Sequence, residues 1–242
     1  MDLTQLLYAI KDDANKEIRN SDLLKFVGFC LQHSHQSEAQ NYQDVWALWE
    51  NYAVYGGYFV EFGATDGKTS SNTYLLEKMY NWSGILAEPN PHWHDELAKN
   101  RSALISHRCV FSESNRELDF LMADSPDLST IRGFGEDDEF KSSRENSKTI
   151  KVQTISLYDL LEEHMAPKEI DFMSVDTEGS EYGILNAFFQ RNDKYVVNCI
   201  TVEHNGTMQS KIFDLMTSNG YVRKFQEISR WDDFFVLKDD RS

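Results

Sequence analysis

Short apolar runs alternate with amphipathic stretches over most of the chain after residue 57. The runs predict strands and the stretches between them predict helices. The runs lie at residues 58–64, 84–88, 103–110, 170–176, 197–203, 221–225 and 233–237. This alternation is typical of an α/β fold with a mostly parallel, seven-stranded sheet and helices on both faces. A short connection joins the last two runs, which therefore predict an antiparallel hairpin at the sheet edge.

The first 50 residues carry a helical pattern instead. Their apolar residues recur at the spacing of one helix face rather than in strand-like runs. We therefore predict an N-terminal helical cap at residues 1–50, followed by the α/β domain at residues 51–242. The residues that define the helical pattern are Leu3, Leu6, Leu7, Ile10, Leu23, Leu24, Phe26, Val27, Leu31, Val45, Trp46, Leu48 and Trp49.

A glycine turn, from Gly63 to Gly67, follows the first strand run and precedes a predicted helix at residues 69–80. A strand, a glycine turn and a helix together form a cradle for a ligand. The second run ends in Glu88, at the carboxyl edge of the neighbouring strand, where open α/β sheets bind nucleosides. We expect the Glu88 carboxylate to accept both hydroxyls of a ribose.

The turn lacks the glycines of the dinucleotide fingerprint, which stand two and five residues after the first one. Thr65 and Lys68 occupy these two places. The spacing therefore favours S-adenosylmethionine over NAD. The simpler alternative is that the two glycines only permit a turn and that Glu88 is a surface acid before a proline.

Charge and composition exclude several classes of function. The chain has 24 basic and 40 acidic residues and a net charge of −16. It has no basic cluster for a phosphate backbone, so we expect no nucleic-acid partner. No cationic segment precedes an apolar core at the start, and no apolar stretch approaches ~20 residues, so we expect no membrane insertion and a cytoplasmic location. Three widely spaced cysteines favour reduced thiols over a disulfide framework.

Several motifs resemble, in family order, the FkbM family of S-adenosylmethionine-dependent methyltransferases. The resemblance covers roughly residues 40–240, and its more specific elements are Ser71-Asn72-Thr73 and the Asp-x-Glu-Gly-x-Glu motif at residues 176–181. It implies a class I, Rossmann-like methyltransferase fold and methylation of a hydroxyl, often on a sugar or natural product. With the glycine turn, it places the cofactor-binding residues at Glu61, Gly63, Ala64, Asp66, Gly67, Asn72 and Glu88.

Glu61 stands in the middle of an apolar strand run, where a buried carboxylate is costly unless something binds it. We expect it to face the methionine amino group of the cofactor, directly or through water. Three residues near the ends of the fourth and fifth runs are candidates for the base that takes the hydroxyl proton: His204, Asp176 and Glu181. His204 is modestly favoured, because histidine needs the smallest change in proton affinity near neutrality.

Asp176 and Glu203 have further interpretations. Acids at two strand ends resemble the Mg²⁺ site of catechol-type O-methyltransferases, which makes Mg²⁺ a candidate second cofactor. Alternatively, Asp176 caps a helix that begins near Glu178, with Glu181 complementing the helix dipole.

The leading hypothesis is an S-adenosylmethionine-dependent O-methyltransferase that acts on a saccharide or another small hydroxylated metabolite. Two alternatives stay open: a non-catalytic FkbM-like domain that binds a partner, and an NAD-linked oxidoreductase. The polar segment at residues 123–147 contains two glycines and predicts a mobile lid over the acceptor site. The acceptor and the oligomeric state are not specified by any motif.

Overall fold

The computed structural model describes residues 22–134, 147–204, 206 and 208–238. Within these residues the helices, in chain order, are α1 (Asp22–His33), α2 (Gln43–Glu50), α3 (Tyr74–Tyr80), α4 (His94–Asn100), α5 (Leu157–Glu163), α6 (Glu181–Arg191) and α7 (Gln209–Ser218). A short 3-10 helix spans Pro126–Leu128. None of the described helices combines the length and the apolar character needed to cross a bilayer.

The larger sheet has seven strands: β1 (Tyr58–Phe62), β2 (Ser83–Ala87), β3 (Leu104–Ser106), β8 (Glu169–Val175), β9 (Val196–Glu203), β10 (Tyr221–Lys224) and β11 (Asp232–Leu237). Their order across the sheet is β10-β11-β9-β8-β1-β2-β3. The strands from β9 to β3 run parallel, and β11 is antiparallel to both β9 and β10. The chain leaves β1 toward β2 on one side and later returns to β8 on the other, so a crevice opens between the carboxyl ends of β1 and β8.

A smaller sheet of four strands flanks this crevice. It consists of β4 (Cys109–Phe111), β5 (Glu117–Met122), β6 (Thr130–Ile131) and β7 (Lys148–Ser156), in the order β4-β7-β5-β6. No pattern in the sequence predicts this sheet. Over both sheets, four of the nine neighbouring strand pairs are antiparallel, so the expectation of a mostly parallel sheet is corrected to a mixed one.

Alternating residues of the central strands enter two hydrophobic clusters, one on each face of the larger sheet. Val60 and Phe62 pack with residues of α5, α6 and α7, whereas Phe59 packs with residues of α1 to α4. Glu61 shares the face of Phe59, because side chains two apart on a strand point to the same side. The acid thus faces the loop that precedes α3.

The N-terminal cap is not confirmed as a separate unit. Residues 1–21, with the first predicted helix, lie outside the described residues. α2 packs into the same hydrophobic cluster as the sheet, and Trp46 is fully buried against Phe172 and Phe234. The domain boundary at residue 50 stays a prediction.

Three local predictions need correction. The run at residues 103–110 is not one strand, because β3 and β4 belong to different sheets. The helix expected at residues 69–80 begins only at Tyr74. Much of the expected lid lies outside the described residues, and its described part forms the 3-10 helix and β6.

Candidate functional site

A cavity of about 1130 Å³ opens at the carboxyl ends of β1, β2, β8 and β9. This is the switch point of the larger sheet, where the loops after β1 and β8 diverge. Phe120 and Ile131 of the smaller sheet close one side. The lining includes the predicted site residues Glu61, Gly63, Asp66, Asn72, Glu88, Asp176 and His204, but not Ala64, Gly67 or Glu181.

The glycine turn is shaped by close packing. Gly63 has a φ of +79°, and a Cβ at this position would lie 2.0 Å from the carbonyl oxygen of Asp176. Gly67, at a φ of +75°, packs so closely that a Cβ would lie 2.5 Å from the side chain of Leu97. The N–H groups of Gly63 and Ala64 donate to the carbonyl of Ala87, which joins the turn to β2. Only glycine fits these two places without displacement of the neighbouring chain.

Glu88 follows β2 and is 4% exposed. Its Oε2 accepts the N–H of Thr65 at 2.9 Å, and its Oε1 accepts the N–H of Asn90 at 2.7 Å. Burial raises the pKa of this carboxyl to about 7, although the two N–H groups oppose the shift. A carboxylate has about four acceptor positions, so each oxygen of Glu88 can still accept a hydroxyl from the cavity.

The Glu61 carboxylate is bound on all sides by the loop that precedes α3. Its Oε1 accepts the N–H of Asn72 at 2.8 Å, and its oxygens also accept the hydroxyls of Ser71 and Thr73. Arg101 adds a positive charge, with Nη1 at 3.5 Å from Oε2. These partners occupy the acceptor positions of the carboxylate. Glu61 therefore holds the loop, and its predicted contact with a methionine amino group stays a prediction.

Arg101 lies behind the same loop, with a side chain that is 0% exposed. Its Nη1 donates to the carbonyl of Gly67 and to Ser71 Oγ, both at 3.1 Å, and its Nη2 donates to Thr73 Oγ1 at 2.8 Å. On the opposite side, its Nε donates to Glu77 Oε2 at 2.7 Å. One buried guanidinium thus connects both ends of the loop at residues 67–73 with α3.

Asn72 presents an unused acceptor to the cavity. It is 5% exposed, its N–H binds Glu61, and its Nδ2 donates to Ser174 Oγ at 2.9 Å. Its Oδ1 is buried and has no hydrogen-bond partner. A buried acceptor without a partner is costly, so this position suits a ligand that supplies an N–H donor.

Asp66 has a local role in the described structure. Its Oδ1 accepts the N–H groups of Lys68 and Thr69 at 2.8 and 2.7 Å, and its Oδ2 accepts the Thr69 hydroxyl. The side chain therefore closes the turn after Gly67, while its position on the cavity wall leaves the predicted cofactor contact open.

Three carboxyl groups converge at the ends of β8 and β9. Single oxygen atoms of Asp176, Glu178 and Glu203 lie within 4.8 Å of one another. Burial, followed by the nearby charges of Glu178 and Asp232, raises the pKa of Asp176 well above its ordinary value. Burial and the charge of Asp176 do the same to the pKa of Glu203. The cluster therefore favours a neutral or cation-bound state over three free carboxylates.

Glu181 faces away from the cavity. Its Oε1 accepts the N–H groups of Thr177 and Gly179, each at 2.9 Å, and also the Thr177 hydroxyl. It is 3% exposed, and burial raises its pKa although these hydrogen bonds oppose the shift. Glu181 holds the loop after β8, and nothing in this arrangement brings it to an acceptor.

His204 follows β9 and is 7% exposed. Its Nε2 lies 3.1 Å from Gln209 Nε2 and 3.5 Å from Asp233 Oδ1, while its Nδ1 accepts the N–H of Gly206 at 3.4 Å. Asp233 is fully buried, and Arg223 Nη2 and Ser229 Oγ bind its Oδ1 at 2.7 and 2.8 Å. Against the effect of burial, hydrogen bonds from His204 and Ser229 and the charge of Arg223 hold the pKa of Asp233 below its ordinary value. An ionised carboxylate thus stands beside the imidazole.

Three of the ten non-glycine residues with a positive φ in the described structure line the cavity. They are Thr65, Ser70 and Glu178, with φ angles of +45°, +61° and +59°. Non-glycine residues in this region cost of order 1–3 kcal/mol each and cluster at ligand-binding sites. The strain supports a functional rather than a purely structural cavity.

A family model described as the methyltransferase FkbM domain matches residues 61–228, well over half of the 242-residue chain. The chain belongs to this family. The family implies S-adenosylmethionine as the methyl donor, so this FkbM domain is an S-adenosylmethionine-dependent methyltransferase, and the resemblance seen in the motifs is confirmed.

Two solved structures are similar to the FkbM domain. Precorrin-6y C5,15-methyltransferase from Geobacter metallireducens GS-15 aligns with 13% identity and a TM-score of 0.39, over 80% of this chain and 84% of that one. The human methyltransferase 10 domain containing protein aligns with 12% identity and a TM-score of 0.40, over 82% and 83% of the two chains. No curated protein matches this chain.

The residues of the cavity fit the implied cofactor. The unpartnered Oδ1 of Asn72 can accept an N–H of the methionine amino group, and the free acceptor positions of Glu88 can take the ribose hydroxyls. When bound, S-adenosylmethionine supplies a methyl group on a positively charged sulfur. The carboxyl groups of Asp176 and Glu203 also line the cavity, and an ionised carboxylate favours a positive charge close to it.

Two supporting residues, Arg101 and Asp233, are not among the site residues predicted from the sequence, although they hold Glu61 and His204 in place. Arg101 follows α4 and carries no pattern that sets it apart from a surface arginine. Asp233 did carry a signal, since Asp232 and Asp233 precede the apolar residues of β11. Both acids are buried, at 2% and 0% exposure, and burial raises the pKa of Asp232 to about 6.

Proposed function

We propose that this methyltransferase transfers the methyl group to a hydroxyl of a saccharide or another small hydroxylated metabolite. The observation that carries the proposal is the pairing of His204, which lines the cavity, with the buried carboxylate of Asp233 behind it. A hydroxyl must lose its proton as its oxygen attacks the methyl group, so a base beside the acceptor assists the reaction.

His204 is suited to take this proton. Asp233 lies where it stabilises the positive charge that the imidazole gains, as the carboxylate of a catalytic triad does. Arg223 and Ser229 keep this carboxylate in place. Among the described residues, His204 Nδ1 has one hydrogen bond, from the N–H of Gly206 at 3.4 Å, so it is the ring nitrogen that we assign to the acceptor hydroxyl.

The size of the cavity supports a second ligand beside the cofactor. Its volume of about 1130 Å³ exceeds the range of about 300–1,000 Å³ typical of sites for one drug-sized ligand. Glu88 lies after β2, whereas His204 lies after β9, three strands away in the sheet order. At ~4.8 Å per strand, their strand ends are roughly 14 Å apart, which leaves room for an acceptor at the β9 side.

A divalent cation is a further candidate at the same end of the cavity. Asp176, Glu178 and Glu203 offer three hard oxygen ligands, a set that suits Mg²⁺. The alternative is that Asp176 and Glu203 share a proton. Removal of metal with EDTA separates the two, because only a metal-dependent enzyme loses turnover and regains it with added Mg²⁺.

The proposal is tested with purified protein and methyl-labelled S-adenosylmethionine against a panel of glycosyl acceptors and their hydroxyl-blocked analogues. We expect labelled methyl ether on the free hydroxyl, and a loss of roughly 10²- to 10⁴-fold in turnover for His204→Ala, with the affinity for S-adenosylhomocysteine within twofold of the parent.

His92→Ala is the matched control, since His92 is exposed and outside the cavity lining. Transfer to an amine or carbon instead of a hydroxyl, or full turnover by His204→Ala in metal-free buffer, contradicts the proposal.

A further inference from the structure

The connection between β10 and β11 carries a cation and an aromatic ring at the rim of the cavity. Arg230 and Trp231 both line it, and both are exposed, Trp231 to 40%. His204 donates its N–H to the carbonyl of Trp231 at 2.6 Å. The pair therefore stands beside the proposed base, on the acceptor side of the site.

The connection is anchored at both ends. Phe225 is 9% exposed and stacks on Phe26 at 4.8 Å between ring centroids, and Ile228 is 5% exposed in the same cluster. On the other side, Ser229 Oγ donates to Asp233 Oδ1. The buried residues on both sides of Arg230 and Trp231 fix the position of this loop, so these two residues are exposed at a defined place.

Arg230 is the sole lysine or arginine among the residues that line the described cavity. Its guanidinium lies over the Trp231 ring, 4.9 Å from the centroid, and it makes no hydrogen bond or ion pair with the described residues. A guanidinium that lies over an aromatic ring can present its face to the ring, while its N–H donors, which lie in its plane, point outward. No described residue occupies these donors, so they are available to a ligand.

Six acids of the cavity lining have partners or positions of their own. Glu61 is bound by Arg101, Asp66 by its own turn, and Glu88 by the N–H groups of Thr65 and Asn90. Asp176, Glu178 and Glu203 form a separate cluster at the ends of β8 and β9. The net charge of −16 opposes anions at long range, but at physiological salt such charges are screened beyond ~8 Å. The local environment of Arg230 therefore decides what binds there.

We propose that Arg230, stacked on Trp231, is the specificity determinant for an acceptor that carries an oxyanion, such as a uronic acid carboxylate or a sugar phosphate, beside its reacting hydroxyl. The planar fork of arginine pairs with such groups through two parallel hydrogen bonds. Trp231 adds an apolar surface for a sugar ring. This inference rests on the proposed function, and it adds the chemical class of the acceptor.

The first test measures binding without turnover. The complex with S-adenosylhomocysteine is titrated calorimetrically with glucuronic acid, glucose 6-phosphate and glucose as probes. We expect the parent to bind one or both anionic sugars at least tenfold more tightly than glucose, and Arg230→Met to abolish this preference. Arg230→Lys, which keeps the charge without the fork, should retain part of it.

Lys211→Met is the control, because Lys211 is an exposed cation on α7 outside the cavity. S-adenosylhomocysteine affinity should stay within twofold in every variant, which shows that the fold is intact. The carboxylate and phosphate probes distinguish the two kinds of oxyanion. Equal affinity for anionic and neutral sugars in the parent, or an unchanged preference in Arg230→Met, overturns the inference.

The second test measures methyl transfer to the same sugars. A tenfold or greater loss of kcat/KM for the anionic sugar in Arg230→Met, with the neutral sugar unaffected, supports the inference. If Arg230 selects anions in binding but no hydroxyl is methylated, the proposed function fails and the anion subsite stands. If hydroxyls are methylated with no effect of Arg230, the subsite fails and the proposed function stands.

Discussion

Replacement of Arg101 by methionine tests whether the buried ion network holds the cofactor loop. The change removes the donors to Gly67, Ser71 and Thr73, and it leaves the carboxylates of Glu61 and Glu77 without their buried cation. The side chains of the two acids are only 4% and 8% exposed. Removal of one partner from a buried pair costs about 3–5 kcal/mol, because the other charge stays buried.

This loss of stability is measurable by urea and thermal unfolding. For a chain of this size each kcal/mol corresponds to about 2–4 °C in Tm, so we expect Arg101→Met to melt roughly 6–20 °C below the parent. Arg191→Met is the control, since Arg191 pairs with Asp159 at 2.7 Å while 54% exposed. An exposed pair contributes about 0–1 kcal/mol, so this variant should stay close to the parent.

The pH dependence provides a second check. Although burial acts in the other direction, Arg101 holds the pKa of Glu77 below its ordinary value of 4.5. A lowered pKa in the folded state contributes stability above the ordinary pKa, and this stability is lost as the pH falls through the folded value. The difference in the free energy of unfolding between the parent and Arg101→Met should therefore become smaller below about pH 4.5.

The cofactor site should respond as well, because the loop behind Asn72 loses its support. We expect the affinity of Arg101→Met for S-adenosylhomocysteine to fall at least tenfold. The affinity of Arg101→Lys should lie between those of the parent and Arg101→Met. A variant as stable as Arg191→Met would refute the reasoning about the buried network. A variant that is destabilised but binds S-adenosylhomocysteine like the parent would refute the link between Arg101 and the cofactor loop.

Two further predictions concern the turn and the ribose acid. Glu88→Gln should weaken S-adenosylhomocysteine binding in calorimetry, yet stabilise the free protein at pH 8. Burial raises the pKa of Glu88 in the folded protein to about 7. Ionisation of Glu88 therefore lowers the free energy of unfolding as the pH rises through that value. Equal stability of the two proteins at pH 8 contradicts this. Gly63→Ala should lower Tm more than Gly133→Ala. Both glycines have a positive φ, but only a Cβ at Gly63 would meet backbone, at 2.0 Å. Equal effects on Tm would mean that the φ strain alone matters.

The sequence predicted the main elements of this fold from local patterns. Apolar runs located every strand of the seven-stranded sheet. For the central strands β1, β8 and β9 the reason is burial on both faces, which needs consecutive apolar residues. The smaller sheet was missed because its strands are exposed on one face: in β7, Ile150 and Val152 alternate with polar residues instead of forming a run. Nothing local indicated that β3 and β4 separate into different sheets.

For the site, the sequence determined which acids and glycines stand at strand ends, and strand ends of a parallel sheet meet at one edge. Glu88, Asp176 and His204 therefore reached the cavity as expected. Only the tertiary structure decided what each side chain binds there. Glu61 and Glu181 have the same side-chain chemistry as Glu88, yet loop residues bind both oxygens of Glu61 and the Oε1 of Glu181.

The supporting residues depended wholly on tertiary contacts. Arg101 lies 40 residues from Glu61, and Asp233 lies 29 residues from His204, separations over which no periodic pattern connects two side chains. Hydrogen bonds and ion pairs depend on distances of a few ångströms, which the folded chain sets and a local pattern cannot express. The sequence by itself determined the class of fold and the identity of the candidate groups, and the tertiary structure decided which of them hold the site and which remain free to bind.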